Sequence, residues 1–284
     1  MIRIFIAPSS FEILPMQHGQ NRYINESYDA EKHKQRIMLQ HGRAISAFIT
    51  PGIVAKLPAM HCPLPDIVFM ANAGLSLPRL GRPLLLLPNM KYPQRKAELP
   101  YLKKIYRDIK LPFIEYPGTQ PFEGQAELKW FDGGRKAICG YGHRSTKQTF
   151  VELDRFFQKL YGADKPELLA IALLSDNYYH LDVAMLEYDD TKCIIHRKSV
   201  SPASIKKIEA FLGKGNVHVL DTTDSFCLNA VVDGGHLITH KLKDTKLKPL
   251  FESLTGRTVR EVDTSEFENS GGSVRCMTLD IHRA

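Results

Sequence analysis

The sequence contains no run of the roughly 18 to 20 apolar residues that would span a bilayer, which argues against a helical membrane protein. Its five cysteines (Cys62, Cys139, Cys193, Cys227, Cys276) form no CxxC pair and are odd in number, so neither a disulfide framework nor a zinc site is suggested, and a reducing cytoplasm is the expected location. There is no Gly-rich phosphate loop, no metal-ligand spacing, and no low-complexity segment or long linker. The first residues, Met1-Ile-Arg-Ile-Phe-Ile-Ala-Pro8, lack the apolar run and cleavage site of a signal peptide and alternate like a strand that stops at Pro8. What is present is ordinary: 43% hydrophobic and 24% charged residues over 284 positions, a globular composition. The one imbalance is a formal charge of +7, which permits an anionic partner.

Strand-like apolar runs recur along the chain, each bounded by Gly, Pro, Asn or Asp. They begin at Asp66, Phe122, Tyr178, Phe226 and Ser273. Segments of helical period lie between them, at 29–48 with Asp29 as N-cap, 94–108, 147–161, 202–213 and 244–255. Each apolar run carries one polar residue in or beside it: Asn72, Glu123, His180, Asn229 and Cys276, at separations of 51, 57, 49 and 47 residues. Such regular spacing suggests five supersecondary units arranged radially, with the polar residues around one cavity. Mixed α/β chains repeat strands at comparable intervals anyway, so spacing alone leaves this open. The irregular stretches 15–28 and 267–272 are candidates for a cover over that cavity.

Cysteine is the only strong nucleophile in the set. Cys276 follows Ser270-Gly-Gly-Ser-Val-Arg275, where two glycines allow close backbone approach and Arg275 adds positive charge. A Cys beside Met and Leu is otherwise a small buried hydrophobe, as the other four read. His180 and Asp182 are two residues apart, which in a strand would put imidazole and carboxylate on one face. A hydrogen-bonded core pair is the bland alternative. Glu123 sits in an apolar context, an expensive place for an unpaired charge. Nucleophile, proton carrier and carboxylates in distant segments match the requirements of covalent catalysis.

Phe69-Met-Ala-Asn-Ala-Gly74, Tyr92-Pro-Gln-Arg-Lys-Ala-Glu98, Phe122-Glu-Gly-Gln-Ala-Glu127, Gly140-Tyr-Gly-His-Arg-Ser145, Tyr179-His-Leu-Asp182, Asn229-Ala230 and Gly271-Gly-Ser-Val-Arg-Cys276 together resemble, in order, the guanidine-modifying (pentein, amidinotransferase-like) superfamily. That resemblance covers nearly the whole chain. It implies an α/β fold, a five-bladed ββαβ propeller around a central active site, filling residues 1–284 as one catalytic domain. It implies Cys276 as nucleophile, His180 as general acid and base, and Glu123 as the carboxylate that orients His180. Asn72 and Asp182 would hold the guanidinium, Arg95 and Arg144 are candidates for the substrate carboxylate, and Asn25 and Glu127 complete the substrate-binding set. For Arg95 and Arg144 a surface ion pair is the competing reading.

Many deiminases have Asp where this chain has Asn72. Asp only accepts hydrogen bonds, whereas an Asn amide also donates, so Asn72 could hold the neutral ureido group of citrulline as well as a guanidinium. With Tyr23-Ile-Asn25, this makes the chain look most like arginine dihydrolases, which take arginine to ornithine, carbon dioxide and ammonia. Single-step deiminases, dimethylarginine dimethylaminohydrolases and amidinotransferases are the alternatives. Departures from the pattern are Ala126-Glu127, where relatives usually have Gly-Asp, and Glu26-Ser-Tyr28 after Asn25. The implied ligand is a small guanidino compound, with no cofactor and no metal. Neither nucleic acid nor membrane is expected as a partner, since the Lys and Arg residues are dispersed and the densest cluster, 241–248, reads as a solvated face. A homo-oligomer is left open. An arginine-like substrate gives the +7 charge no role.

Overall fold

The computed structural model describes residues 1–57 and 63–282, so Cys62 lies outside the described residues. In chain order, β1 (Ile2–Ile6), α1 (Ala30–Ser46) and β2 (Gly52–Ala55) come first. Then follow β3 (Leu75–Ser76), β4 (Leu85–Leu86), α2 (Pro93–Lys96), α3 (Leu99–Asp108) and β5 (Phe113–Ile114). The next unit is β6 (Leu128–Phe131), β7 (Lys136–Tyr141), α4 (Lys147–Tyr161) and β8 (Glu167–Ala172). After it come α5 (Leu181–Ala184), β9 (Met185–Glu187), β10 (Cys193–His196), α6 (Pro202–Leu212) and β11 (Val217–Leu220). The chain ends through β12 (Val231–Asp233), β13 (His236–His240), α7 (Leu247–Thr255), β14 (Thr258–Val262), α8 (Ser265–Glu268) and β15 (Leu279–Ile281).

These strands form five three-stranded sheets with one plan: β3-β4-β5, β6-β7-β8, β9-β10-β11, β12-β13-β14 and β15-β1-β2. In each, the first strand is antiparallel to the second and the second is parallel to the third. A helix makes the crossover between the parallel pair, as such pairs require. The fifth sheet joins both ends of the chain, with Ile2 opposite Ile281 and Ile4 opposite Leu279. Five ββαβ units closed in this way are the expected five-bladed pentein propeller.

The helices begin where their caps dictate. The Asp29 side chain accepts from the Lys32 N–H, Ser201 from Ser204, and Thr146 and Thr149 bond reciprocally at the start of α4. The helix expected over 94–108 is split into α2 and α3, because Pro100 has no N–H to continue the ladder and instead starts a new helix. Apolar faces of the helices cover the sheets: Phe150, Leu153 and Phe157 of α4 pack with Ala137 and Cys139 of β7.

The apolar runs are only partly strands. Asn72 lies in a 3₁₀ turn (Met70–Ala73), Glu123 caps another (Gly124–Ala126), and β3 and β6 start after them. His180 precedes α5 and Asp182 lies within it, so the two do not share a strand face. Asn229 and Cys276 sit in turns just before β12 and β15. The physical reason is burial on all sides: a turn packed at the centre of a closed ring is as apolar as a strand. All five key polar residues therefore occupy equivalent places, the turn that leads into the first strand of a blade.

Candidate active site

Five turns converge on one centre, and the polar residues they carry meet there. Glu123, fully buried, is the hub. Its Oε2 accepts from His180 Nε2 at 2.8 Å, Arg144 Nη1 at 3.0 Å and Asn72 Nδ2 at 3.1 Å, and its Oε1 accepts the Lys91 N–H at 3.1 Å. Four donors thus converge on one carboxylate, three on Oε2 and one on Oε1. Burial opposes the charge, but Arg144 and the His180 hydrogen bond outweigh it and hold Glu123 ionised, well below the usual carboxylate range. Since Glu123 only accepts, the proton of His180 is on Nε2. Burial pushes the imidazole pKa down, against the pull of Glu123, so neutral His180 is favoured.

Arg144 lies between two rings, its guanidinium carbon 4.9 Å from the Tyr92 centroid and 5.0 Å from that of Tyr179. Arg95 is held by Glu98, Nε to Oε1 at 2.7 Å, and donates to the Phe69 carbonyl and to Asn72 Oδ1, both at 3.3 Å. Neither is a surface ion pair, since both are buried and line the central cavity. Arg95 orients the Asn72 amide: Oδ1 accepts from Arg95, and Nδ2 donates to Glu123 and lies 3.3 Å from His180 Nε2.

Cys276 is gripped by Asn229, which donates from Nδ2 to Sγ at 3.1 Å and accepts the Cys276 N–H at Oδ1, also 3.1 Å. Asp182 Oδ2 is 3.5 Å from Sγ. Burial and the Asp182 charge both push the thiol pKa far up, which favours the protonated form. The other carboxylate oxygen, Asp182 Oδ1, is buried without a hydrogen-bond partner among the described residues. A buried carboxylate oxygen left unpaired is costly and marks where a cationic ligand would bind. The glycines before Cys276 are needed as they stand. Gly271 has φ of 93°, and a Cβ on Gly272 would sit 2.1 Å from Phe69 Cε1.

The remaining cavity is small, about 20 Å³, room for one water. Gln20, Asn21 and Ile24 of the 15–28 stretch line it, as does Ser270 of the other candidate cover. That stretch is tied down by Asn21 Nδ2 to the Ser270 carbonyl at 3.2 Å and by the Asn25 N–H to the Asn269 carbonyl at 2.8 Å.

Asn72, Glu123, His180, Asp182, Arg95, Arg144 and Cys276 are thus brought together. Two expected ligands are placed elsewhere. Asn25 is exposed, with its side chain spent on Asn269 and Ser27. Glu127 lies beneath Glu123, whose N–H it accepts at 2.9 Å, and does not line the cavity. Burial and the Glu123 charge raise its pKa to about 8, so Glu127 is neutral at pH 7. No role was expected for Asn229, although its spacing singled it out, nor for Tyr92 and Tyr179, which no signal short of the fold would have paired with Arg144. Among the described residues no group of three or more His, Cys, Asp or Glu side chains is placed to hold a metal, and no helix is long and apolar enough to cross a membrane.

No family model matches the chain. It is 26% identical, over 99% of its length, to the bifunctional arginine dihydrolase/ornithine cyclodeaminase ArgZ of Synechocystis sp., of which it spans 38%. It is 25% identical to the N(G),N(G)-dimethylarginine dimethylaminohydrolase of Mycobacterium tuberculosis over 77% of this chain and 67% of that one. Among solved structures, the N-terminal domain of ArgZ bound to substrate superposes with a TM-score of 0.81 at 23% identity, covering 98% of this chain and 97% of that domain. A dimethylarginine dimethylaminohydrolase adduct gives 0.70 at 19% identity over 98% of both chains. Solved structures of proteins with two activities thus share one fold with this chain over 98% of its length.

Proposed function

We propose that the chain is a cysteine-dependent hydrolase of a guanidino group, and that it is an arginine dihydrolase. The observation that carries this is the unpaired Asp182 Oδ1 beside a buried thiol. A planar guanidinium offers N–H groups along its edge, which suit Asp182 on one side, and its central carbon would then face Sγ. The cation also reverses the electrostatics of the site. Bound next to Asp182, it cancels the charge that holds the thiol protonated and so favours thiolate where thiolate is needed.

The thiolate would attack the guanidinium carbon. The thiol proton would pass to the His180 nitrogen that Glu123 does not hold, and the imidazolium so formed gives it to the departing nitrogen as the C–N bond breaks, so that ammonia and a covalent thiouronium intermediate result. Glu123 stabilises the protonated imidazole and fixes which nitrogen faces the reaction. Water, deprotonated by the now neutral His180, adds to the intermediate and releases citrulline. In a second cycle thiolate would displace ammonia from the ureido carbon. Hydrolysis of that thiocarbamate gives a carbamic acid, which divides into carbon dioxide and ornithine.

The Asn72 amide on the cavity wall supports the second cycle, because a ureido carbonyl needs a donor that Asp would not supply. The similarity to ArgZ points the same way. The similarity to a dimethylarginine dimethylaminohydrolase supports a second reading, a single hydrolysis ending at citrulline. Either way, a cavity with room for one water must enlarge to admit an amino acid, and the 15–28 stretch is the part of its wall that can move without disturbing a blade.

The test is to incubate the protein with arginine, citrulline, agmatine and methylarginines and to measure ammonia, citrulline and ornithine, with Cys276→Ala as control. Ornithine with two ammonia molecules per arginine is expected. Citrulline that accumulates without ornithine refutes the dihydrolase reading, and equal activity in Cys276→Ala refutes the mechanism.

A further inference from the structure

A line of polar groups runs from the β12-β13-β14 blade to the loop that carries the thiol. His240, the last residue of β13, is 1% exposed and lies between two carboxylates, with Nε2 2.9 Å from Asp224 Oδ1 and Nδ1 3.0 Å from Glu268 Oε1. Burial opposes its charge, but the two carboxylates raise its pKa to about 9, so at pH 7 it is an imidazolium. Lys243 donates its backbone N–H to Asp224 Oδ2 at 2.8 Å and sets its ammonium 3.8 Å from Glu268 Oε2. Glu268 Oε1 also accepts the Thr264 hydroxyl at 2.9 Å, and Thr264 Oγ1 lies 2.8 Å from Ser273 Oγ. With the one Thr264 hydroxyl hydrogen given to Glu268, Ser273 is the donor in the last contact. The line therefore has one direction, Ser273 to Thr264 to Glu268, and ends on the His240 cation.

Two details set this line apart from ordinary pairing of buried polar atoms. Thr264 is the N-cap residue of α8, yet its hydroxyl caps no helix N–H and is spent sideways instead. Ser273, fully buried, stands three residues before Cys276. Against burial and the Asp182 charge, two hydrogen bonds favour the Cys276 thiolate, one from the Ser273 backbone and one from the Asn229 amide. Asn229 is fixed by its second bond, to the Cys276 N–H. Ser273 follows Gly271 and Gly272, which have no side chains to hold the loop, so its own hydroxyl is the side-chain anchor of this donor.

We propose that His240, Glu268, Thr264 and Ser273 form a positioning device for the nucleophile, which holds the Ser273 N–H against the sulfur as the thiolate forms. This rests on the reading of Cys276 as nucleophile. None of the four lines the catalytic cavity, so they act on the reaction through Cys276 and not by touching substrate. Breaking a link weakens thiolate formation and the chemical step and leaves substrate binding as it is.

The test compares Thr264→Val, which removes the hydroxyl at nearly constant volume, with Thr264→Ser, which keeps it, in the full chain. Alkylation of Cys276 by iodoacetamide at pH 9 is followed without substrate by mass spectrometry, and kcat and KM are measured by ammonia release from arginine. Thr264→Val should slow alkylation at least roughly threefold and lower kcat about tenfold, the scale of one buried hydrogen bond, with KM changed by less than about twofold. Thr264→Ser should restore both rates, and His240→Gln should lower kcat in the same direction by less. Ser273→Ala reads the same link from its other end if Thr264→Val does not fold. A lower melting temperature with unchanged alkylation and kcat, an equal loss in Thr264→Ser, or a rise in KM alone overturns the proposal. Wild-type protein that releases no ammonia from any guanidino compound refutes the proposed function instead, and the alkylation arm, which needs no substrate, still decides the role of Ser273.

Discussion

Replacing Asp182 by Asn separates the two jobs proposed for this carboxylate, raising the thiol pKa and holding the substrate cation. Its Oδ2 lies 3.5 Å from Cys276 Sγ, and both groups are buried. At an effective dielectric near 20, two unit charges at that distance repel by about 5 kcal/mol, equivalent to three to four pKa units on the thiol. Asn is isosteric and uncharged, so the thiol pKa should fall by up to that amount while access to the sulfur stays the same. Alkylation by iodoacetamide at pH 8, read by mass spectrometry, should then be at least tenfold faster in Asp182→Asn, after allowing for the weaker nucleophilicity of a less basic thiolate. Turnover should move the opposite way. Losing one partner of a buried ion pair costs about 3 to 5 kcal/mol, so kcat/KM for arginine should fall by two to three and a half orders of magnitude. Faster alkylation with slower catalysis is the signature of a charge that represses the free nucleophile and anchors the substrate. If alkylation is unchanged or slower, the account of Cys276 in the resting enzyme is wrong.

Asn72→Asp should strip the site of its donor for a ureido group and set a carboxylate beside Glu123, 3.1 Å from the present amide nitrogen; citrulline should accumulate from arginine, and continued ornithine formation would refute the role given to Asn72. Glu127→Gln keeps an acceptor for the Glu123 N–H and removes a buried acid whose pKa is raised to about 8, so activity should survive and the melting temperature at pH 8 should hold or rise; loss of activity would show that the ionised form is required. His240 bonds Asp224 at 2.9 Å and Glu268 at 3.0 Å; burial works against its charge, but these bonds raise its pKa to about 9. A raised histidine pKa stabilises fully below the unfolded value near 6.5 and is lost as pH climbs through 9, so urea stability should drop by up to about 3 kcal/mol between pH 6 and 10, and His240→Gln should flatten that slope. Gly272→Ala should lower the melting temperature by several degrees or abolish soluble expression, since the new Cβ would meet the Phe69 ring at 2.1 Å.

The regular recurrence of Asn72, Glu123, His180, Asn229 and Cys276 was legible because each blade repeats one plan and places one polar group at one point of it. What the period could not show is that this point is a turn. Residues at the axis are enclosed by neighbours from other blades, so Asn72 in its 3₁₀ turn and Asp182 in a one-turn helix read as strand by hydrophobicity. The same enclosure explains where resemblance placed a residue and the geometry does not use it. Asn25 lies in a loop whose fold is set by contacts with Asn269 and Ser27, which leave no local pattern, and Glu127 has one methylene more than the usual Asp and reaches back to the Glu123 backbone. Asn229 shows the converse: its spacing singled it out, but its task, two hydrogen bonds to one cysteine 47 positions away, exists only once two turns meet. The buried arginines follow the same logic, since Arg95 contacts Asn72, and Arg144 contacts Glu123 and two tyrosines, only once the turns meet. A linear motif identifies the groups that must touch a substrate, whereas the groups that aim them are chosen by closure of the ring. Substitutions at Asn229, Tyr92 or Tyr179 should accordingly alter kcat more than KM, because they change how the reacting groups are held and not which groups are present.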